Sequence, residues 1–470
     1  MQAKNLIKKK QFKMPHMFVM LLSVIFIASL LTYVIPAGEY ARTTNDAGIK
    51  VVIADQFSHI AKTPVHFWEI PAYLVRGFGI QKSLIFMCMF AGGAFHILLK
   101  TGALHALIAL VVRKFGNKEA YFIPLLMLIC GLIATTQSVT IFIAFTPILV
   151  MMAKAMGFDS LTGASITILG GAIGFFTGTL NASSTLVAQT IAELPPYSGI
   201  GYRFFSFFCF WVLTSILVVR YAKKVKADPT LSPMYDLDKQ ENNNADTSIL
   251  ETTEMDTRKL LCLLTLVGCL SVLVYGCISW GWGTDNIATM FVCMAILVGA
   301  FAGYTPSEIA IYFTEGCKKL LATAFMIGIA KAIAEILSDA SVMDTIVHAL
   351  AQTMNAMPGV LKGMSMFWAN LIINLPITSA SGQAGAVMPI FTPLGDMIGL
   401  TRQTTVLAYN FGDGMCNYVL PWSTALIGNL AVANIPYDRW MRYFWKNFLS
   451  WIVLGSVLVF IAQLIGLGPF

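Results

Sequence analysis

Asn374-Leu375-Pro376-Ile377-Thr378-Ser379-Ala380-Ser381-Gly382-Gln383 is a polar, helix-breaking patch inside an otherwise apolar sequence. An apolar run follows it to Gly399, and a second break comes at Pro421-Trp422-Ser423-Thr424. The first half of the chain has the same pattern. Thr135-Thr136-Gln137-Ser138 precedes a run to Gly157, and Asn181-Ala182-Ser183-Ser184-Thr185 interrupts the next one. Lipid cannot hydrogen-bond a bare peptide group, so unwound backbone at membrane depth needs protein, water or a ligand beside it. Matched breaks in corresponding halves are the sequence sign of a transporter's substrate site.

Composition places these breaks in a membrane. The 470 residues are 57% hydrophobic and 12% charged, against roughly 25% charged in soluble domains. Many windows reach the ~20 apolar residues that cross a bilayer. The predicted fold class is an all-α polytopic membrane protein. Met17 to Ile35 runs into Pro36-Ala37-Gly38-Glu39 without a clear cleavage site, so it reads as a retained helix and not a signal peptide. Lys4, Lys8, Lys9, Lys10 and Lys13 precede it and predict a cytoplasmic N-terminus. The net charge of +7 sits in short flanks such as Lys223-Lys224 and Lys318-Lys319, which reports topology and not nucleic-acid binding. The nine cysteines read as small core hydrophobes, and the six histidines show no metal-binding spacing. No nucleotide fingerprint or Walker pattern is present, so neither an enzyme nor an ATP-driven pump is expected, and no cofactor.

The chain reads as two halves. Residues 1–221 hold a hairpin at 120–155 and a broken helix at 161–192. Residues 259–470 hold a hairpin at 362–398 and a broken helix at 403–432. The polar stretch 222–258 reads as a mobile cytoplasmic linker. Residues 37–82 read as an external loop with an amphipathic piece, and 101–114 and 306–319 as interfacial segments. Flanking charges give consistent sidedness only if 120–155 enters and leaves on one face. The hairpin 362–398 then enters from the other. This is an inverted repeat with two opposed re-entrant hairpins. Aligning Pro147 with Pro389 also aligns Gly157 with Gly399 and Asn181 with Ser423.

Half-helix N-termini present free N–H groups and partial positive charge, which suits carboxylates. Unwound carbonyls suit a small cation. The candidate substrate-binding residues are therefore Thr135, Thr136, Gln137, Ser138, Asn181, Ser183 and Ser184, with Asn374, Thr378, Ser379, Ser381, Gln383, Asn417, Ser423 and Thr424. Asp413, in Phe411-Gly412-Asp413-Gly414, is an ionisable group in an apolar span, and reads as a substrate or coupling-ion contact or as a local cap. Lys331 and Glu335 share a helix face, either as a self-neutralising pair or as a substrate or proton element. Glu193 and Asp396 read as interfacial or capping groups. Sodium near Asn181, Ser381 and Asp413 is a candidate coupling ion, with a proton as the other. Paired hairpins suit an occluded carrier site better than an open channel.

Several stretches carry a resemblance. They are Ile35-Pro36-Ala37-Gly38-Glu39, Lys100-Thr101-Gly102-Ala103-Leu104, Gly157-Phe158-Asp159-Ser160-Leu161-Thr162-Gly163 and Thr179-Leu180-Asn181. Gly328-Ile329-Ala330-Lys331, Asp344-Thr345-Ile346 and the run from Ser379 through Pro393-Leu394-Gly395 complete the set. In these the chain resembles the YfcC family of basic amino-acid antiporters, which includes arginine–ornithine exchangers, within the wider ion transporter superfamily. The resemblance implies a homodimer in the bacterial cytoplasmic (inner) membrane. It also implies an elevator mechanism, in which a scaffold domain stays still while a transport domain carries the solute. The expected function is a secondary active transporter, antiporter or cation-coupled symporter, of amino acids such as arginine or ornithine. The chain departs from the family at Thr140 and Ile141, where adjacent glutamates are common, and at Lys331, where an arginine is common. Lost carboxylates weaken a dication site, so a carrier of dicarboxylates or other small organic anions is the alternative.

Overall fold

The computed structural model describes residues 17–44, 50–103, 106, 119–137, 139–244 and 256–468. Helix α1 (Met17–Val34) leads into an antiparallel ribbon of β1 (Gly38–Thr44) and β2 (Lys50–His59), registered with Gly38 opposite His59 and Thr44 opposite Lys50. Helices α2 (Ile70–Ile80), α3 (Lys82–Lys100), α4 (Glu119–Ala134), α5 (Thr146–Ala155), α6 (Ser160–Phe176), α7 (Val187–Ile191) and α8 (Ile200–Ala227) follow. After α9 (Tyr235–Asn244) come α10 (Thr257–Ser279), α11 (Thr284–Ala302), α12 (Pro306–Lys319), α13 (Leu321–Asp339) and α14 (Met343–Asn355). The chain closes with α15 (Lys362–Ile373), α16 (Ala380–Met397), α17 (Arg402–Cys416), α18 (Thr424–Val432) and α19 (Tyr437–Leu464). Among the described residues α3, α8, α11 and α19 are each long and apolar enough to cross a bilayer, and a fifth span results if α12 and α13, bent by 44°, count as one.

Side chains fix where these helices begin. Asp159 accepts from Thr162 N at 2.9 Å at the start of α6, and Thr401 from Thr404 N at 3.2 Å at the start of α17. Thr305 and Glu308 form a reciprocal capping box on α12. The chain is broken where polar patches were read. A 3-10 turn, Val139–Ala144, separates α4 from α5, and a π-type turn, Ala182–Leu186, separates α6 from α7. Residues 374–379 separate α15 from α16, and 417–423 separate α17 from α18.

Packing sorts the helices into two bodies. In the first, α11 and α12 pack on α3, and α1 and α2 pack on α13. In the second, α4 and α5 pack on α6, α6 packs on α17, and α15 packs on α17 and α19. The bodies touch through α13 on α18, α14 on α15 and α16, and β2 on α16.

Three expectations need correction. The chain is not wholly helical: Gly38–Thr44 and Lys50–His59 form a ribbon because aromatic and β-branched residues there suit strands. Tyr40 packs on Phe57 with ring centroids 5.0 Å apart, its backbone N–H donates to Asp344 at 3.0 Å, and Arg42 bridges Asp344 at 2.8 Å. Burial, with the Asp344 charge second, pushes the Tyr40 phenol up to about 12. Helix α14 was not anticipated, because its apolar face is shorter than a membrane span. The stretch after Tyr221 is not a loose linker over its first part. Helix α8 continues to Ala227, and residues 228–244 dock on the second body. Asp159 accepts from Tyr221 at 2.5 Å and from Ser232 at 2.6 Å, and Asp238 accepts from Ser160 N at 3.0 Å and pairs with Lys154 at 3.0 Å. Arg439 holds Asp236 at 2.9 Å. The rest of the linker, the N-terminal lysines and nearly all of 104–114 lie outside the described residues. Eight described cysteines are free thiols.

Candidate functional site

A cavity of about 340 Å³ lies where the two bodies meet. The first hairpin contributes Val139 and Thr140, and the break between α6 and α7 contributes Ser183. The second hairpin contributes Thr378, Ser379 and Ser381, and the break between α17 and α18 contributes Asn417, Ser423 and Thr424. Lys331 enters from α13, on the other body. Eight of the residues read from sequence thus share one cavity.

Two helices start on this cavity. Helix α16 begins at Ala380, with Ser379 accepting from Gly382 N at 3.4 Å. Helix α18 begins at Thr424, and its N-cap Ser423 makes no side-chain cap bond. First-turn N–H groups have no partner within their own helix, so both helices turn donors and partial positive charge toward the cavity. Lys331 is the one charged side chain in the lining among the described residues. Its ammonium lies 3.1 Å from Glu335, whose other oxygen lies 3.0 Å from Arg76. Arg76 also holds Asp339 at 2.5 Å. The Lys331 head is therefore held by Glu335, and Glu335 is shared between two cations.

Beneath the cavity lies a second polar group that is closed to solvent. Asp413 is fully buried. Its Oδ1 accepts from Asn374 Nδ2 at 3.2 Å, and its Oδ2 has no hydrogen-bond partner. The same Asn374 nitrogen faces Ile377 O and Gln383 Oε1, both at 3.1 Å. Gln383 in turn donates to Asn370 O at 3.1 Å, and Asn417 Nδ2 donates to Asp413 O at 3.0 Å. The glycines on either side of Asp413 permit this enclosure. A Cβ on Gly412 would lie 2.3 Å from Asn370 Cβ, and one on Gly414 would lie 2.2 Å from Phe176 Cβ. Among the described residues no basic side chain pairs with Asp413.

The remaining expected residues stand elsewhere. The Thr135 and Thr136 hydroxyls turn back on Leu132 O at 2.7 Å and Ile133 O at 3.1 Å, and with half-buried Gln137 they stay out of the lining. Ser138 lies outside the described residues. Asn181 Oδ1 accepts from Ser183 N at 3.0 Å, Ser183 Oγ at 2.8 Å and Ser184 N at 3.1 Å, so it is a cap. Ser184 is buried with its hydroxyl unpaired. Glu193 and Asp396 both pair with Arg402.

Other members were not read from sequence as site residues. Gln81, Tyr418 and Trp422 line the cavity, and so does Thr140. Asn370 and Asn410 belong to the buried group. Arg203, also buried, donates to Gly178 O at 3.0 Å and Gln403 Oε1 at 3.1 Å. It caps the C-terminal end of α6, where a cation is favoured. Gly178 has φ +62, and a Cβ there would meet Thr185 Oγ1 at 2.5 Å. Amides and a guanidinium in apolar spans were the available signal, the same one that marks Asp413. A larger groove of about 860 Å³ between α8 and α19 is lined mainly by apolar side chains such as Phe205, Val212 and Val453, as a lipid-facing surface is.

Known proteins are similar to this chain over nearly its whole length. The family model for DcuC, described as a C4-dicarboxylate anaerobic carrier, matches residues 14–464. The chain belongs to the DcuC family. Within its reach, a protein of Escherichia coli (strain K12) named "Putative basic amino acid antiporter YfcC" is 28% identical over 97% of this chain and 98% of its own. A Haemophilus influenzae (strain ATCC 51907 / DSM 11121 / KW20 / Rd) protein is 25% identical over 96% of this chain and 97% of its own. The YfcC resemblance read from sequence therefore stands. The Alcanivorax borkumensis YdaH transporter aligns in structure with TM-score 0.42 and 15% identity, over 97% of this chain and 100% of its own. Neisseria gonorrhoeae MtrF aligns with TM-score 0.44 and 16% identity, over 97% and 96%. This DcuC-family chain is a polytopic membrane transporter.

Proposed function

We propose that this protein is a secondary active carrier of a small carboxylate-bearing solute, held in the cavity between the hairpin tips. The observation that carries the reading is the convergence of two helix N-termini and Lys331 on one cavity. Together they offer an anion donors and positive charge, and most of it needs no buried full charge. Amino acids all carry the required carboxylate, and the relative's name points to them. A second reading, a dicarboxylate, is favoured by Lys331 and by a lining without Asp or Glu among the described residues. Thr140 stands in the lining where a carboxylate for a dication would be needed.

The sorting of helices into two bodies supports an elevator mechanism. The body holding α4–α8 and α15–α19 would move with the solute against the body holding α1–α3 and α10–α14. The protein would act as a homodimer in the bacterial cytoplasmic membrane, with its N-terminus inside and the two halves as inverted repeats. Sodium or a proton would couple uptake. Counterflow in proteoliposomes tests the class: a carrier is accelerated by solute on the far side. Competition by arginine, ornithine, a neutral amino acid, a dicarboxylate and agmatine tests the solute. Agmatine competing as well as arginine overturns carboxylate recognition. Competition by the dicarboxylate alone selects the second reading.

A further inference from the structure

Lys331 is the cavity end of a chain of charges that runs away along α13. Its ammonium lies 3.1 Å from Glu335 Oε1, Glu335 Oε2 lies 3.0 Å from Arg76, and Arg76 reaches Asp339 at 2.5 Å. Tyr73 donates to Asp339 at 3.0 Å. Lys331, Glu335 and Asp339 recur every fourth residue and form one stripe on α13, while Tyr73 and Arg76 come from α2. Close packing of the two helices sets Arg76 against that stripe. A Cβ on Gly77 would lie 2.4 Å from Gly328 O, so α2 meets the α13 backbone one residue after Arg76. Neither Arg76 nor Glu335 lines the cavity. Glu335 is the more enclosed of the two, with its side chain 14% exposed against 48% for Arg76.

We propose that Arg76 is a positioning residue that sets the charge preference of the cavity: by holding Glu335, it leaves Lys331 able to receive an anion. The inference rests on the carrier reading of the cavity. A Lys331–Glu335 pair alone would show a solute no net charge. Arg76 offsets the Glu335 carboxylate. Asp339, which holds Arg76 from its other side, stands roughly two turns, about 12 Å, beyond Lys331 on α13. Asp339 is 38% exposed, and salt screens exposed charges over ~8 Å at physiological strength. Seen from the cavity, the chain therefore shows one net positive charge, at Lys331. A solute carboxylate that reaches Lys331 takes part of it from Glu335, and Glu335 keeps Arg76 while this happens. An enclosed carboxylate stripped of every cation would be costly. Without Arg76, two carboxylates would face one ammonium, and the same wall would favour a cationic solute. The preference is thus carried by a residue behind the cavity wall.

The test is binding of succinate, alanine and agmatine to the purified full chain, read as Tm shifts over a concentration series of each. Arg76→Gln should raise the apparent Kd of succinate about tenfold, raise that of alanine less, and lower that of agmatine. Glu335→Gln should move succinate and agmatine the opposite way. Combining Arg76→Gln with Glu335→Gln removes one charge of each sign, and should return the succinate-to-agmatine ratio toward wild type. Arg76→Lys should keep most of that ratio. Equal fold-changes for all three ligands in Arg76→Gln would make Arg76 a structural tie between α2 and α13 and overturn the proposal. Unchanged Kd values would do the same, as would a double variant that stays at the Arg76→Gln ratio. If Arg76→Gln elutes as an aggregate, Glu335→Gln decides, and a succinate Kd that fails to fall there overturns the proposal. Carboxylate binding that no variant shifts sinks this inference alone. Agmatine binding without succinate or alanine binding sinks the carboxylate reading alone, provided that Arg76→Gln tightens agmatine. A wild-type protein that answers none of the three sinks both.

Discussion

The cavity and the buried group around Asp413 are built by the same second hairpin and broken helix, yet they treat polar atoms in opposite ways. In the cavity, hydroxyls and helix ends face open space, and a lysine reaches in from the other body. In the buried group, amides and one carboxylate are shut away from solvent, with oxygens left unpaired. Open donors suit an anion that arrives and leaves with part of its water. Asn417 is the wall between them.

The largest expected effect comes from removing the distinction. Gly412→Val places side-chain atoms where Asn370 already stands, and should force α15 from α17. Overpacking of this kind costs about 1–3 kcal/mol or more. Tm should fall, and the solute response should vanish with it. A solute response that survives would mean that the cavity does not depend on this contact.

A change on the cavity side alone should separate them. Lys331→Gln keeps length and polarity but removes the charge, and a charge-assisted hydrogen bond is worth about 1.5–3 kcal/mol. KM for a carboxylate solute should rise ~10-fold or more, while Tm without solute changes little. An unchanged KM would return Lys331 to a purely structural pair with Glu335.

Ser381→Ala should be milder. It removes one neutral hydroxyl at the start of α16 and leaves the helix N–H groups in place. A loss of about 0.5–1.5 kcal/mol corresponds to a KM change of roughly two- to tenfold. A change as large as that for Lys331→Gln would shift the weight of recognition from helix ends to the hydroxyl.

The smallest effect should lie at the docked segment. Asp159→Asn weakens the bonds from Tyr221 and Ser232. Tm should drop modestly, with solute KM unchanged. A large KM change would connect this end of α6 to the cavity.

The four breaks were legible because polar, helix-breaking clusters in apolar sequence have few physical excuses. Ser379, Ser381, Ser423 and Thr424 followed from that argument, as did Lys331 from its charge. The rest depended on direction, which composition does not encode. Thr135 and Thr136 satisfy themselves on their own helix. Asn374, Gln383 and Asp413 face inward, one layer beneath the surface that the solute would touch. The β ribbon and α14 were missed because each is too short to show the periodicity that marks a span. The docking of 228–244 was missed because its polar residues find partners far away in sequence, at Lys154, Ser160 and Arg439.

That docking sets a length. With α9 ending at Asn244 and α10 starting after Asp256, twelve peptide steps join the docked helix to α10. At ~3.3–3.6 Å per residue, this leash reaches about 40 Å when fully drawn. Those two points cannot separate further, and each residue deleted between them shortens that reach by ~3.5 Å.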